Sequence, residues 1–262
     1  MNHQPLDGAV TRLLVVSDNP DLCRWLQLEL QAQNLQASTS VEWRYSPKCK
    51  NSTELCTLGA TAVDLACEET MQHIIQNFDL VLSLHCRQVV PAQLVEAVVC
   101  INIHPGFNPY NRGWFPHVFS MINGLPAGAT LHVMDEQIDH GAIIDRETVE
   151  SDPGDTSLEL YARIRRLEKK LLARNLKSLV TLSFNSLEPE SDGNYNSQNA
   201  FRELCELDLD SVGSLREHLA LLRALSHGEY RNAFYFQDDK KYYVRVHIDP
   251  GNTPPVSSET AE

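Results

Sequence analysis

Short apolar runs alternate along the chain with longer stretches whose apolar residues recur at helical spacing. Residues 12–17 (RLLVVS) form a run typical of a strand buried on both faces. The next residues, 17–20 (SDNP), offer Asp18 or Asn19 as a helix N-cap and Pro20 for the first helical position. Apolar side chains then recur with the period of a helix, at Leu22, Trp25, Leu26 and Leu30. The pattern predicts a buried strand followed by an amphipathic helix.

The same alternation continues to about residue 182 and predicts the fold class. Strand-like runs occupy residues 41–45, 79–84 and 100–104, and helical patterns cover 91–98 and 114–122. Two later strands, which read as an antiparallel extension, and a long helix follow at 128–134, 142–149 and 157–182. Strands and helices that alternate in this way form parallel strands joined by crossovers. We therefore predict an α/β fold with a doubly wound sheet.

The character of the sequence changes near residue 185. Residues 186–198 are polar and rich in turn formers, which indicates a linker, and a short helix is predicted at 214–224. Two aromatic-rich stretches within 233–246 flank Asp238 and Asp239, which is a hairpin signal. The predicted organisation has three parts: a catalytic domain over 1–185, a small C-terminal subdomain with a helix and β-hairpin over 186–250, and a disordered tail over 251–262.

The composition narrows the range of partners. The chain has 22 Lys and Arg against 35 Asp and Glu, a formal net charge of −13, and no basic stripe that would follow nucleic-acid phosphates. No apolar run approaches the ~20 residues that cross a bilayer, and no basic region opens a secretory signal. Seven scattered cysteines without a CxxC pair fit reduced thiols better than a zinc site. We expect a cytoplasmic protein with no nucleic-acid, membrane or metal partner.

One stretch, residues 101–119 (INIHPGFNPYNRGWFPHVF), interrupts a buried strand with polar residues. Asn102 and His104 are two apart, so they project to the same side at the carboxyl end of a central strand. Ligands bind at that edge in open α/β sheets. An amide donor beside an imidazole suits a reaction that builds negative charge on a carbonyl oxygen while a proton is removed. The alternative, in which both residues only make local hydrogen bonds, stays open.

Two neighbouring segments add to this constellation. Pro105 and Pro109 restrict the following loop and hold Arg112 near the same edge. Residues 134–141 (MDEQIDHG) form a polar turn between two apolar strands, and a carboxylate from this turn could orient His104 or raise its basicity. His132, on a strand with apolar neighbours, is interpreted as packed or hydrogen-bonded rather than catalytic.

These motifs resemble the formyltransferases that use N10-formyltetrahydrofolate. That family shares a strand ending in Asn-x-His-Pro, an Arg-Gly in the next loop and a downstream IDHG-like segment, which stand here at 102–105, 112–113 and 138–141. The resemblance covers about residues 10–185. The segments NIHPGFNPYNRGWFP, DEQIDHGAIID, GNYNS and LLRALSHGEYRNAFYF are similar to the sugar-nucleotide branch, because the Trp after Arg-Gly and the terminal aromatic hairpin separate it from the purine and methionyl-tRNA branches.

The resemblance implies a Rossmann-like formyltransferase domain, a fold in which Asn102, His104 and Asp139 are the catalytic triad. It implies that the amine of a dTDP-linked amino sugar, 4-amino-4,6-dideoxyglucose, attacks the formyl carbon of N10-formyltetrahydrofolate. Asn102 and protonated His104 would hold the oxyanion of the tetrahedral intermediate. The proton would leave through His104 or through a water held by Asp139. The family needs no metal.

The resemblance also implies ligand contacts. Folate would lie along 83–91 and the Asp loop, against His85, Arg87, Val89, Asp135 and Asp139. The nucleotide sugar would meet Asn19, Asn108, Tyr110, Arg112, Trp114 and Tyr195. The loop at 17–20 has no Gly-rich fingerprint of a dinucleotide site, and for Asn19 simple N-capping remains an equal alternative.

Two alternatives to this function remain open. In the first, the acceptor is a different amine: the 3-amino isomer, a GDP-linked amino sugar or an amino acid such as hydroxyornithine. The chain could also be a nucleotide-sugar or folate-binding module without catalysis, although an intact triad argues against this. Finally, the aromatic hairpin presents apolar residues on both faces, which predicts a homodimer through the C-terminal subdomain.

Overall fold

A computed structural model describes residues 10–249 of the chain. The predicted tail over 251–262 lies outside the described residues. The strands are β1 Thr11–Ser17, β2 Thr39–Tyr45, β3 Thr61–Ala62, β4 Leu80–Leu84, β5 Val99–His104, β6 Arg112–Gly113, β7 Gly128–Val133, β8 Ile143–Thr148, β9 Tyr195–Asn196, β10 Ser226–His227, β11 Tyr230–Arg231, β12 Phe234–Gln237 and β13 Lys240–Tyr243. The helices are α1 Pro20–Ala32, α2 Ser52–Thr57, α3 Glu68–Asn77, α4 Ala92–Ala97, α5 Pro116–Asn123, α6 Ser157–Val180, α7 Gln198–Cys205 and α8 Leu215–Leu225.

A seven-stranded sheet organises the chain, in the order β3-β2-β1-β4-β5-β7-β8. The first five strands in that order are parallel, and β7 and β8 continue the sheet antiparallel. The predicted doubly wound α/β fold with an antiparallel extension is therefore confirmed. The chain runs from β1 to one side and returns to the other side at β4, so the crevice at their carboxyl ends is the topological switch point where ligands bind.

The sheet is covered on both faces, which explains why its central strands are continuous apolar runs. In β1, Leu13 and Val15 join the core under α1 and α6, whereas Leu14 and Val16 join the core under α3 and α4. All four side chains are at most 1 % exposed. Side chains alternate across a strand, so such burial requires an apolar residue at every position.

Asn19 begins α1 as the sequence predicts. Its side chain accepts a hydrogen bond from the Leu22 amide, and Pro20 is the first helical residue. The long helix α6 begins with a capping box formed by Thr156 and Glu159. Its apolar face packs on β7 and β5. Glu168 lies on that same face and is fully buried, which the helical pattern alone did not reveal.

The C-terminal part contains the predicted helix and hairpin, so the fold class is confirmed here too. The hairpin β12–β13 turns at Asp238 and Asp239, whose φ angles are 49° and 59°. A two-residue turn that follows the strand twist needs positive φ at both positions, which Asp tolerates. Phe234 packs with Val118 and Cys205 in a separate apolar cluster between this part and α5.

Several elements were not predicted. α2, β3 and α3 are short or have few buried residues, and α7 begins where the sequence indicated a linker. The segment 186–198 is not a free linker: Leu187 pairs with Ile143, and Tyr195–Asn196 pairs with Arg112–Gly113. The division of the chain near residue 185 stays a prediction.

Within residues 10–249, no helix combines the length and the apolar character needed to span a membrane. All seven cysteines are free.

Candidate active site

β5 carries Asn102 and His104 to the carboxyl edge of the sheet, on the same side, as their spacing predicts. The antiparallel register places His132 of β7 directly opposite Asn102. Asn102 Nδ2 lies 3.3 Å from His132 Nε2 and donates to Asp139 Oδ1 over 3.0 Å. His132 Nδ1 lies 3.0 Å from the Val133 carbonyl, which accepts, so Nε2 is left as an acceptor. Both amide hydrogens of Asn102 therefore have partners.

Asp139 lies in the loop between β7 and β8, in the left-handed region with φ 52°. Its Oδ2 is 3.2 Å from His104 Nδ1 and accepts a hydrogen bond of 3.2 Å from the Gly113 amide. Its Oδ1 is 3.6 Å from His132 Nε2. One carboxylate thus joins β5, β7 and the Arg-Gly loop, and it brings the three predicted catalytic residues together.

The surroundings of Asp139 and His104 determine which of the two side chains is charged. Burial acts to raise the pKa of Asp139, but the attraction of His104 in its protonated form and the hydrogen bond from the Gly113 amide oppose it, and the pKa is lowered to about 2. Burial lowers the pKa of His104 below its ordinary value, and the nearby Asp139 carboxylate offsets this only in part. At neutral pH the arrangement is an ionised Asp139 beside a neutral His104.

The free nitrogen of His104 has no hydrogen-bond partner within the described residues, although it is buried. Because Nδ1 faces the Asp139 carboxylate, the imidazole proton resides there and Nε2 carries a lone pair. Gly106 runs past this nitrogen so closely that a Cβ at its position would lie 2.5 Å from Nε2. The site thus presents an oriented, unpaired base.

The loop between β5 and α5 is fastened to the Asp loop. Thr130 donates to the Gly106 carbonyl over 2.7 Å and accepts from the Asn108 amide over 2.9 Å. The Asn108 side chain donates to the Asp139 carbonyl over 2.8 Å, and Arg112 Nη1 donates to the Ile138 carbonyl over 3.2 Å. Asn108 is 0 % exposed and Arg112 8 % exposed. These two predicted nucleotide ligands hold Asp139 in place, while Arg112 Nε has no partner among the described residues.

The GNYNS segment meets the Arg-Gly loop. The Asn111 side-chain oxygen accepts hydrogen bonds from three amides, and the Asn111 amide donates to Asn194. The three donors are Asn123, Asn194 and Asn196. The Tyr195 ring covers Gly113, where a Cβ would lie 2.5 Å from Cε2. Tyr195 and Trp114 remain partly exposed, at 46 % and 37 %, and Tyr110 is half-buried. These are three of the aromatic residues that the resemblance implied for the nucleotide sugar.

The predicted folate contacts begin at the end of β4. His85 has φ 54° and its Nε2 lies 2.6 Å from Glu168 Oε1. The Arg87 amide donates to Asp18 Oδ2 over 2.9 Å, while the Arg87 side chain is exposed and Val89 is 70 % exposed. Asp135, half-buried, lies 2.7 Å from His140 Nδ1.

Asn19 is the N-cap of α1, as the sequence allowed, and a positively charged side chain lies close to it. Arg165 Nη2 of α6 lies 3.5 Å from Asn19 Oδ1. Sequence reasoning missed Arg165, Glu168 and the proximity of His132 to the triad, because all three depend on contacts between distant segments. Within the described part of the chain, no group of three or more His, Cys, Asp or Glu could hold a metal ion.

Comparison with known proteins shows the family to which the chain belongs. Residues 5–176 match the formyl transferase family model, and residues 200–250 match the N-formyltransferase dimerization C-terminal domain. The chain therefore belongs to the formyl transferase family. It is 41 % identical over 193 residues to the dTDP-4-amino-4,6-dideoxyglucose formyltransferase of Mycobacterium tuberculosis, which covers 73 % of this chain and 82 % of that protein.

Two solved structures share the whole architecture. A sugar N-formyltransferase from Shewanella is 42 % identical with a TM-score of 0.89, covering 92 % of this chain and 99 % of that one. A 4-N formyltransferase from Francisella tularensis is 36 % identical with a TM-score of 0.87, covering 93 % and 100 %. The resemblance to the sugar branch of formyltransferases is confirmed, and the chain is an enzyme of that branch.

Proposed function

We propose that this enzyme transfers the formyl group of N10-formyltetrahydrofolate to the 4-amino group of dTDP-4-amino-4,6-dideoxyglucose. The observation that carries the proposal is the buried, unpaired Nε2 of His104, oriented by Asp139 and placed beside Asn102. The sequence similarity to a dTDP-4-amino-4,6-dideoxyglucose formyltransferase supports the choice of acceptor.

The residues divide the chemistry as follows. The donor supplies an activated formyl group. The sugar amine forms the new C–N bond at the formyl carbon, the bond from that carbon to N10 breaks, and tetrahydrofolate leaves with a proton on N10. His104 Nε2 accepts the proton that the amine loses, because its lone pair is free at neutral pH, and passes it to N10 of the leaving group. The ionised Asp139 stabilises the imidazolium, as a buried carboxylate does for an adjacent cation. The resting state therefore favours the base role that the sequence left open, over a protonated His104.

Asn102 is proposed to donate to the developing oxyanion. Since both its amide hydrogens are engaged, one contact has to be exchanged, and the contact to His132 at 3.3 Å is the longer of the two. A well-placed donor of this kind contributes about 3–4 kcal/mol to transition-state stabilisation. The Asn102 amide is already oriented in the site and only has to exchange one hydrogen-bond acceptor for another, so the site is compatible with this role.

Donor and acceptor are proposed to reach this centre from two sides. The donor lies along the loop after β4, by His85, Arg87, Val89 and Asp135. The nucleotide meets Tyr110, Trp114 and Tyr195, and its diphosphate meets the N-terminus of α1 at Asn19, where Arg165 adds positive charge. Asn108 and Arg112 both fix the loop, and the positive charge of Arg112 is proposed to attract the anionic nucleotide as well.

Incubation with formyl-folate and dTDP-4-amino-4,6-dideoxyglucose tests the proposal. We expect a product heavier by one CO unit that no longer reacts as a primary amine. Product from the 3-amino isomer, a GDP-linked amino sugar or hydroxyornithine instead would correct the acceptor. Binding of both ligands without product would identify a non-catalytic module.

We further propose that the product serves synthesis of O-antigen or another surface polysaccharide in the cytoplasm, where seven free thiols stay reduced. The enzyme is proposed to act as a homodimer. The C-terminal region matches a dimerization domain, and Phe236, Tyr242 and Tyr243 of the hairpin are 50 %, 43 % and 47 % exposed. Sedimentation at micromolar concentration should give twice 29.5 kDa. A monomer that is unchanged by deletion of residues 230–262 would refute the dimer.

A further inference from the structure

Glu168 is a buried carboxylate that the proposed chemistry does not use. It lies on α6 and is 0 % exposed. Its Oε1 is 2.6 Å from His85 Nε2, and because a carboxylate only accepts hydrogen bonds, His85 is the donor. An ionised carboxylate is very unfavourable in an apolar interior without partners. In this interior, Glu168 has His85 as its hydrogen-bond donor among the described residues.

The other carboxylate oxygen of Glu168, Oε2, shows how much this carboxylate depends on His85 for hydrogen bonding. Glu168 Oε2 has no hydrogen-bond partner among the described residues, and Arg165 Nε stands 3.5 Å away as an ion-pair partner. His85 thus supplies the hydrogen bond to this carboxylate from a loop 83 positions earlier in the chain.

His85 is also where the backbone after β4 takes an uncommon conformation. Its φ of 54° lies in the left-handed region, which residues with a Cβ rarely adopt. The loop is held again two residues later, where Asp18 accepts the Arg87 amide. The Gln88 side chain fixes it further, because Nε2 donates to the Val63 carbonyl over 3.0 Å and Oε1 accepts from the Leu65 amide over 3.0 Å.

We propose that Glu168 is a positioning residue for the formyl donor: through His85 it holds the loop after β4 in the left-handed conformation that shapes one wall of the donor cleft. The inference rests on the proposed function, which places the donor along residues 83–91. It assigns no contact between Glu168 and the substrates.

The test compares the KM values for the two substrates. Glu168→Leu removes the carboxylate that accepts the hydrogen bond from His85 and replaces it with an apolar side chain of similar size. We expect the KM for the formyl donor to rise about tenfold, equal to 1.4 kcal/mol. The KM for the amino sugar should change less than twofold. Glu168→Gln retains an oxygen that accepts from His85 and should stay within threefold. Glu54→Gln is the matched control, an exposed carboxylate that pairs with Arg24. An unchanged donor KM in Glu168→Leu, or an equal rise in both KM values, would overturn the proposal.

A second pair of variants keeps Glu168 in place. His85→Ala and His85→Gly remove the same imidazole, but glycine adopts positive φ without steric penalty. We expect the donor KM to rise about tenfold in His85→Ala and to rise clearly less in His85→Gly, because only the loop conformation, and not the imidazole, is kept in the second variant. Equal effects in the two variants would show that the side chain, not the loop conformation, matters, and would reject the idea.

Equilibrium binding of 5-formyltetrahydrofolate separates this inference from the proposed function. If the parent enzyme binds the probe but formylates none of the amino sugars, the proposed function is refuted. The same variants then still test the role of Glu168, through their Kd for the probe. A parent enzyme that does not bind the probe would remove both.

Discussion

Gly106→Ala offers a direct test of how tightly the base is placed. The added Cβ would lie 2.5 Å from His104 Nε2, 2.7 Å from its Cδ2 and 2.9 Å from Pro116 Cβ. Carbon and nitrogen atoms in ordinary contact are about 3.5 Å apart, so the imidazole has to move by about 1 Å. The φ of Gly106 is not in the left-handed region, so the backbone itself accepts alanine.

The expected consequence is a loss of catalysis larger than the loss of stability. A displacement of about 1 Å in a catalytic group lowers the rate about 100-fold, equal to about 2.7 kcal/mol. Overpacking of a filled site lowers the free energy of unfolding by about 1–3 kcal/mol. We would measure kcat with saturating substrates together with the thermal unfolding midpoint.

Gly154→Ala is the matched control. It makes the same change at a glycine that also lacks positive φ, and the nearest atoms, both of Ile248, stand 4.0 Å away. We expect kcat of this variant to match the parent. A folded Gly106→Ala enzyme with kcat within threefold of the parent would refute the argument that Nε2 is fixed against this glycine.

Three further outcomes are expected. His104→Asn and Asp139→Asn should each lower kcat at least 100-fold, the usual scale of general acid–base help, without unfolding the chain; near-normal turnover would remove the assignment. Because burial lowers the pKa of His104, kcat should hold as the pH falls from 8 to 6.5 and decline only below, when the base becomes protonated; a decline that begins above pH 6.5 would contradict the neutral resting state. Arg112→Ala should raise the KM for the sugar nucleotide about tenfold and lower kcat less, whereas an unchanged KM would show that Arg112 only braces the Ile138 loop.

Local sequence patterns were enough to predict the central strands of the sheet and the helices α1 and α6. Continuous apolar runs mark the central strands because a sheet covered on both faces leaves no solvent-facing position. The i, i+2 spacing of Asn102 and His104 places them on one side of β5, and the Asn19-Pro20 pair begins α1. These are local effects, decided by residues within a few positions of each other. They were sufficient for the fold class.

Which distant groups meet depends instead on how the whole chain packs. His132 has ordinary apolar neighbours in sequence, yet the β5–β7 register places it opposite Asn102. A register is set by how two strands pair over their whole length, and a shift by one residue would turn His132 to the other face.

The same reason explains the segment that the sequence indicated as a linker and the buried Glu168. Tyr195 pairs with Arg112 across more than 80 positions, and Glu168 meets His85 across 83. Neither contact leaves a periodic signal, since each satisfies a polar group through a partner from elsewhere in the chain. Local pattern thus specified the strand that presents the base, whereas packing between distant segments decided what orients it.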